Sequence, residues 1–186
     1  MEAFSDGVFA VIITIMVLEM RPPHGVELAA LRPLVPIFLS YVLSFVFLGI
    51  YWSNHHHLLQ ATQHVSGSIL WANLHLLFWL SLIPFVTNWM GENHFSAWPA
   101  ALYGAVLLFS AIAYFILAKR LVALHGKDSP LGVALGRDFK GKVSILICAL
   151  AIPLAFVRSW LACVLYVLIA IMWLVPDRRI ERTLSH

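Results

Sequence analysis

The sequence predicts an all-α integral membrane protein, one domain with six transmembrane helices, and three observations carry that prediction. Of 186 residues, 61% are hydrophobic and 11% charged, with a mean hydropathy of +0.88, which leaves too little polar surface to cover a soluble globule. The charged residues cluster between apolar runs close to the roughly 20 residues needed to cross a bilayer. Those runs lie at about 4–20, 34–59, 68–90, 97–124, 142–157 and 160–175 within residues 1–186.

The first helix is the most informative. Between Asp6 and Glu19 lie only twelve uncharged residues, about 18 Å of helix against the roughly 30 Å of hydrocarbon. Lipid on all sides would bury both acids, so a helix this short fits a place among other helices with water at its ends, as in a helix lining a pathway. Arg21-Pro22-Pro23 ends it, Pro33 and Pro36 open the second helix, and Gly91-Glu92-Asn93 with Pro99 separates the third from the fourth. The fifth and sixth are short and are expected to pack as a pair around Arg158-Ser159. Lys119 to Lys142 reads as a glycine-rich polar loop with a short amphipathic turn. Glu2 and Asp6 stand where a signal peptide would carry basic residues, so no cleavable leader is expected.

Six spans place both chain ends, the 60–67 loop and the 119–142 loop on one side. That side holds nine of the twelve Lys and Arg residues and the other has Arg21, Arg32 and Arg158, which predicts cytoplasmic termini in the cell's inner (plasma) membrane. Net charge +3 then reflects topology and contact with membrane lipids, with no call for a nucleic-acid partner. Cys148 and Cys163 fall within spans and are expected as two buried thiols.

On a helical wheel with Val11 at zero, Ile15 falls at about 40°, Leu18 at about −20° and Thr14 at about −60°. The stripe reads either as bundle core or as a constriction where symmetry copies of the helix meet. Asp6, at roughly −140°, faces elsewhere. The topology puts Trp52, Asn54, His55, His56 and His57 of helix two, and Trp71, Asn73 and His75 of helix three, at a similar depth. A hydrogen-bonded cluster of Ser5 and Asp6 with some of these would lock three helices together; the alternative is that Ser5 or Asp6 merely caps the helix. His55-His56-His57 point about 100° apart and cannot converge on one ion without help from other helices; only one of them, with His75 or Asp6, could contribute to a site, and no metal site and no cofactor are expected. G-x-S-x-G, a Gly-rich phosphate loop and a T-V-G-Y-G filter are absent, so neither an enzyme nor a carbonyl-type selectivity filter is expected.

Phe4-Ser5-Asp6-Gly7-Val8-Phe9-Ala10-Val11 with Thr14 and Leu18-Glu19, Tyr51-Trp52-Ser53-Asn54-His55-His56, and Leu70-Trp71-Ala72-Asn73-Leu74 through Leu82-Ile83-Pro84-Phe85 together resemble the bacterial and archaeal relatives of the lysosomal potassium channel. The match is specific over roughly residues 3–90. The resemblance implies a homotetramer of six-helix subunits with helix one lining a central pore. It places the constriction on Val11, Ile15 and Leu18, and gives Thr14 a polar part in potassium preference. It also ties the Phe4-Ser5-Asp6 motif to a network with Trp52, Asn54, His55 and Asn73. Family members carry an arginine four residues before the Phe, ahead of Met1 in the sequence given, which implies a truncated start or a weaker salt-bridge network at Asp6. The expected function is a potassium-preferring cation channel with a hydrophobic constriction, its partners being monovalent cations, lipids and copies of itself. A proton- or metal-coupled transporter using Asp6 and the histidines of helices two and three is the alternative, and a non-conducting structural or enzyme-partner protein the third.

Overall fold

The computed structural model describes residues 1–60, 62, 64–126, 132 and 139–174. Every regular element among them is helical: α1 (Glu2–Leu18), a 3₁₀ helix (Leu28–Leu34), α2 (Val35–Gln60), α3 (Gly67–Ser81), α4 (Ile83–Glu92), α5 (Ala97–His125), α6 (Phe139–Val157) and α7 (Ser159–Leu174). Four stretches are long and apolar enough to cross a membrane: 28–60, 67–92, 97–125 and 139–157. The shorter α1 and α7, of 17 and 16 residues, complete the bundle.

The span expected at 68–90 is broken. Leu82 separates α3 from α4, and Pro84, in the first turn of α4, explains the break because proline has no N–H to continue the ladder. Gly91 is not the helix stop that the sequence suggested. It lies inside α4, where an added Cβ would stand 2.6 Å from Ile37 Cα, so its value is close approach to α2. The turn comes just after, with His94 and Phe95 at φ of 49° and 58° and the Phe95 N–H donating to Met90 O at 3.0 Å.

At the polar loop, α5 ends about where expected, at His125, and α6 begins at Phe139, ahead of the expected 142. Lys119, Arg120, Lys140 and Lys142 all lie on helices, while the amphipathic turn expected between them falls outside the described residues. The last two helices do pack together, with only Arg158 between them.

α5 is the centre of the bundle, packed on α3, α4, α6 and α7. Small residues let the helices close on it: a Cβ at Gly104 would run into Tyr166 Oη, which donates to Ala100 O at 3.0 Å. Ser44, Thr87 and Tyr103 form a buried hydroxyl cluster between α2, α4 and α5, with Ser44 Oγ 2.7 Å from Thr87 Oγ1 and 3.0 Å from Tyr103 Oη. Such cross-helix bonds matter in a bilayer because lipid tails give apolar helices little reason to prefer one another. Cys148 is buried and Cys163 half-buried, both as free thiols.

Candidate functional site

α1 packs on α2, α3 and α4, and its two faces differ sharply. Ser5, Phe9, Ile12 and Met16 are buried. Val11, Ile15 and Leu18 are 57%, 42% and 72% exposed, and Thr14 is exposed beside them. The stripe therefore does not pack into its own subunit. Phe4 and Gly7, also exposed, continue it toward the start of the helix at 100° per residue. Thr14 Oγ1 donates to Ala10 O at 2.8 Å, which turns the hydroxyl oxygen's free lone pairs outward.

On the opposite face the structure builds a directed hydrogen-bond chain through three helices. His55 Nε2 lies 2.7 Å from Asn73 Oδ1, Asn73 Nδ2 donates to Ser5 Oγ at 3.0 Å, and Ser5 Oγ donates to Met1 O at 3.2 Å. The chain runs in one direction: Nε2 of His55 carries the proton, and each group donates to the next. Ser5 and His55 are fully buried and Asn73 nearly so. Phe9 packs beside the imidazole, ring centroids 5.8 Å apart. The positions follow from helix periodicity, since α2 turns His55 inward while His57 is exposed.

A second contact lies at the rim, where Trp52 Nε1 donates to Asp6 Oδ1 at 2.9 Å. Asp6 is thus paired with an indole, not with a histidine. Two residues expected in the network stay out of it: Asn54 donates to Ile50 O of its own helix at 2.8 Å, and the Phe4 side chain is exposed. Trp71 and His75 also remain on the outer surface, His75 accepting from Trp79 Nε1 at 2.9 Å.

Sequence reasoning passed over Glu2. It stands four residues before Asp6, on the same side of α1, and its Oε1 comes 3.0 Å from His56 Nδ1. The i, i+4 spacing of the two acids was the available signal. One ligand atom from each of Glu2, Asp6 and His56 lies within 4.8 Å of the others, all three residues being half-buried.

This arrangement, apolar helices of membrane-spanning length around buried polar links, defines an all-helical, multi-pass membrane protein. A model of the family described as endosomal/lysosomal potassium channel TMEM175 matches residues 1–84, almost the same stretch as the motif-level resemblance. A protein of Chryseobacterium sp. (strain P1-3) named as a potassium channel is 52% identical over 185 residues, covering 100% of this chain and 96% of that one. Another potassium channel, from Chamaesiphon minutus, is 30% identical over 176 residues, 87% of this chain and 85% of its own. The crystal structure of a lysosomal potassium-selective channel TMEM175 homolog from Chamaesiphon minutus has the same fold, with a TM-score of 0.82 at 26% identity over 99% of this chain and 96% of that one. The chicken endosomal/lysosomal proton channel TMEM175 is more distant, 26% identical over 143 residues that make up 28% of its length. The chain belongs to the TMEM175 family of ion channels.

Proposed function

We propose that this protein is a potassium-preferring cation channel, a homotetramer in which α1 of each subunit faces a common axis. The observation that carries the reading is the division of α1 into two faces. One is fixed to α2 and α3 by buried hydrogen bonds, and the other presents Val11, Ile15 and Leu18 outward on a helix of 17 residues. The relatives named as potassium channels and the potassium-selective homolog of known structure support the choice of ion.

In this arrangement the three side chains form stacked apolar rings. Such rings supply no ligands to replace an ion's hydration shell, so conduction requires the helices to part and the constriction to wet, and the rings act as a gate. Thr14 adds the polar element. Its donated proton is spent on Ala10 O, so a ring of four presents oxygen lone pairs to a passing cation. The excess of basic residues near one set of helix ends supports cytoplasmic termini in the bacterial inner membrane.

Single cysteines at Val11, Ile15 and Leu18 test the reading together with potassium flux into liposomes. Cross-links between subunits, up to tetramers, with saturation-free flux are the expected result. Absence of inter-subunit cross-links at all three positions would refute the axial assignment. Saturating flux driven by a pH gradient would replace the channel with a coupled transporter.

A further inference from the structure

We propose that Glu2, Asp6 and His56 form a binding site for a borderline transition-metal dication of the Zn²⁺ type, bridging the start of α1 to the end of α2. Three donor atoms, two carboxylate oxygens and one imidazole nitrogen, already lie within 4.8 Å of one another. Ligand atoms on a tetrahedral zinc are about 3.3 Å apart, given metal–ligand bonds of about 2.0–2.1 Å. Small side-chain rotations of three half-buried residues close that gap.

The nitrogen is the telling atom. His56 Nδ1 is shielded from solvent and makes no hydrogen bond, although Glu2 Oε1 is 3.0 Å away. The carboxylate approaches off the line along which an N–H would donate. A metal ion between them satisfies a lone pair and two negative oxygens together. An ordinary ion pair with this geometry leaves the shielded nitrogen without a bond.

Two of the three ligands, Asp6 and His56, are also held from behind, as metal ligands are. Trp52 Nε1 donates to Asp6 Oδ1, which holds the carboxylate in place. Trp52 also stacks on the His56 ring, centroids 5.7 Å apart at 24°, which fixes its plane. The far nitrogen, Nε2, is 2.9 Å from the Gln60 amide. With a metal on Nδ1 the proton moves to Nε2, and the Gln60 amide turns over so that its oxygen accepts it. Three protein ligands leave one tetrahedral position for water, which the partial exposure of the cluster allows.

The donor set selects the ion. Ca²⁺ takes six to eight oxygens, and Mg²⁺ prefers carboxylates with several retained waters, whereas an imidazole with two carboxylates suits zinc and its neighbours. Binding in this form is independent of whether α1 lines a pore.

Zn²⁺ titration of the purified full chain in detergent by calorimetry, with Co²⁺ absorption as a spectroscopic probe, tests the site. The expected results are one ion per chain, visible Co²⁺ d–d bands of nitrogen and oxygen ligation without thiolate charge transfer, and at least about a tenfold loss of affinity in both Glu2→Gln and His56→Gln. His57→Gln, an exposed neighbour on another face, keeps wild-type affinity, and size-exclusion elution shows that each variant remains folded. Unchanged stoichiometry and affinity in Glu2→Gln and His56→Gln would overturn the proposal. So would Ca²⁺ competing equally with Zn²⁺, or thiolate charge transfer in the Co²⁺ spectrum, which would move the ion to Cys148 or Cys163. The Co²⁺ spectrum of the wild-type chain decides the donor set even if a variant fails to fold.

Discussion

Replacing Asn73 with Ala removes the middle of the chain that joins three helices, and the structure sets the size of the effect. Two hydrogen bonds go, at 2.7 and 3.0 Å. Ser5 keeps its own bond to Met1 O and is not stranded. His55 is, since its Nδ1 already lacks a partner and its Nε2–H then loses its acceptor in a fully buried site. Stranding one buried donor costs about 1–3 kcal/mol, while interhelical hydrogen bonds in a bilayer average about 0.6 kcal/mol. Together these place the loss at roughly 1.5–3 kcal/mol, about a ten- to hundredfold shift toward the unfolded state. Asn54→Ala is the internal comparison. It removes only a bond to its own helix and should cost no more than about 0.5 kcal/mol. Equilibrium unfolding in mixed micelles measures both, and a double-mutant cycle of His55→Ala with Asn73→Ala isolates their coupling. A coupling below about 0.3 kcal/mol, within the scatter of additive sites, or an Asn54→Ala protein as damaged as Asn73→Ala, would refute the reasoning.

Leu18→Ser should raise single-channel conductance and weaken discrimination between K⁺ and Na⁺, because a hydroxyl in an apolar constriction lowers the barrier to wetting; recordings from purified protein in planar bilayers check this. Asp6→Ala should reduce the detergent-stable oligomer on size exclusion without shifting the reversal potential, since Asp6 holds Trp52 and lies off the exposed stripe. Gly104→Ala should lower thermal stability markedly. Its methyl would meet Tyr166 Oη and break the bond to Ala100 O, overpacking that typically costs about 1–3 kcal/mol, and Tyr166→Phe in the same background should recover part of the loss.

Much of this was legible in the sequence, and the reasons differ by element. The helices followed from hydropathy because a bilayer leaves an apolar segment few alternatives to helix. Ser5, Asn73 and His55 could be grouped because antiparallel spans of known length fix which residues share a depth. Depth does not fix azimuth, however. Asn54 sits one residue from His55 and turns onto its own backbone, while Trp52, grouped at the same depth, does reach Asp6. Glu2 entered the sequence reading only as an argument against a leader; the spacing to Asp6 and the packing of α2 bring it to His56. The break at Leu82 had a local signal in Pro84, whereas the role of Gly91 depends on the approach of Ile37 from a neighbouring helix, and no local signal reports that distance.

The described polar links of α1 to its neighbours are all gathered at one end. Within its first six residues it is tied by hydrogen bonds through Ser5 and Asp6 and by a close ion-pair contact through Glu2, whereas its far half meets the subunit through Ile12 and Met16, which are apolar. Directional bonds resist sliding and rotation, but contacts between hydrocarbon groups keep most of their energy through small displacements. The helix thus resembles a cantilever, anchored at its root and lubricated along its arm, and a given torque at the root produces its greatest excursion at Leu18. Substitutions of equal chemistry should therefore grade along α1, those near Ser5 altering whether the helix is held and those near Leu18 altering how far it travels.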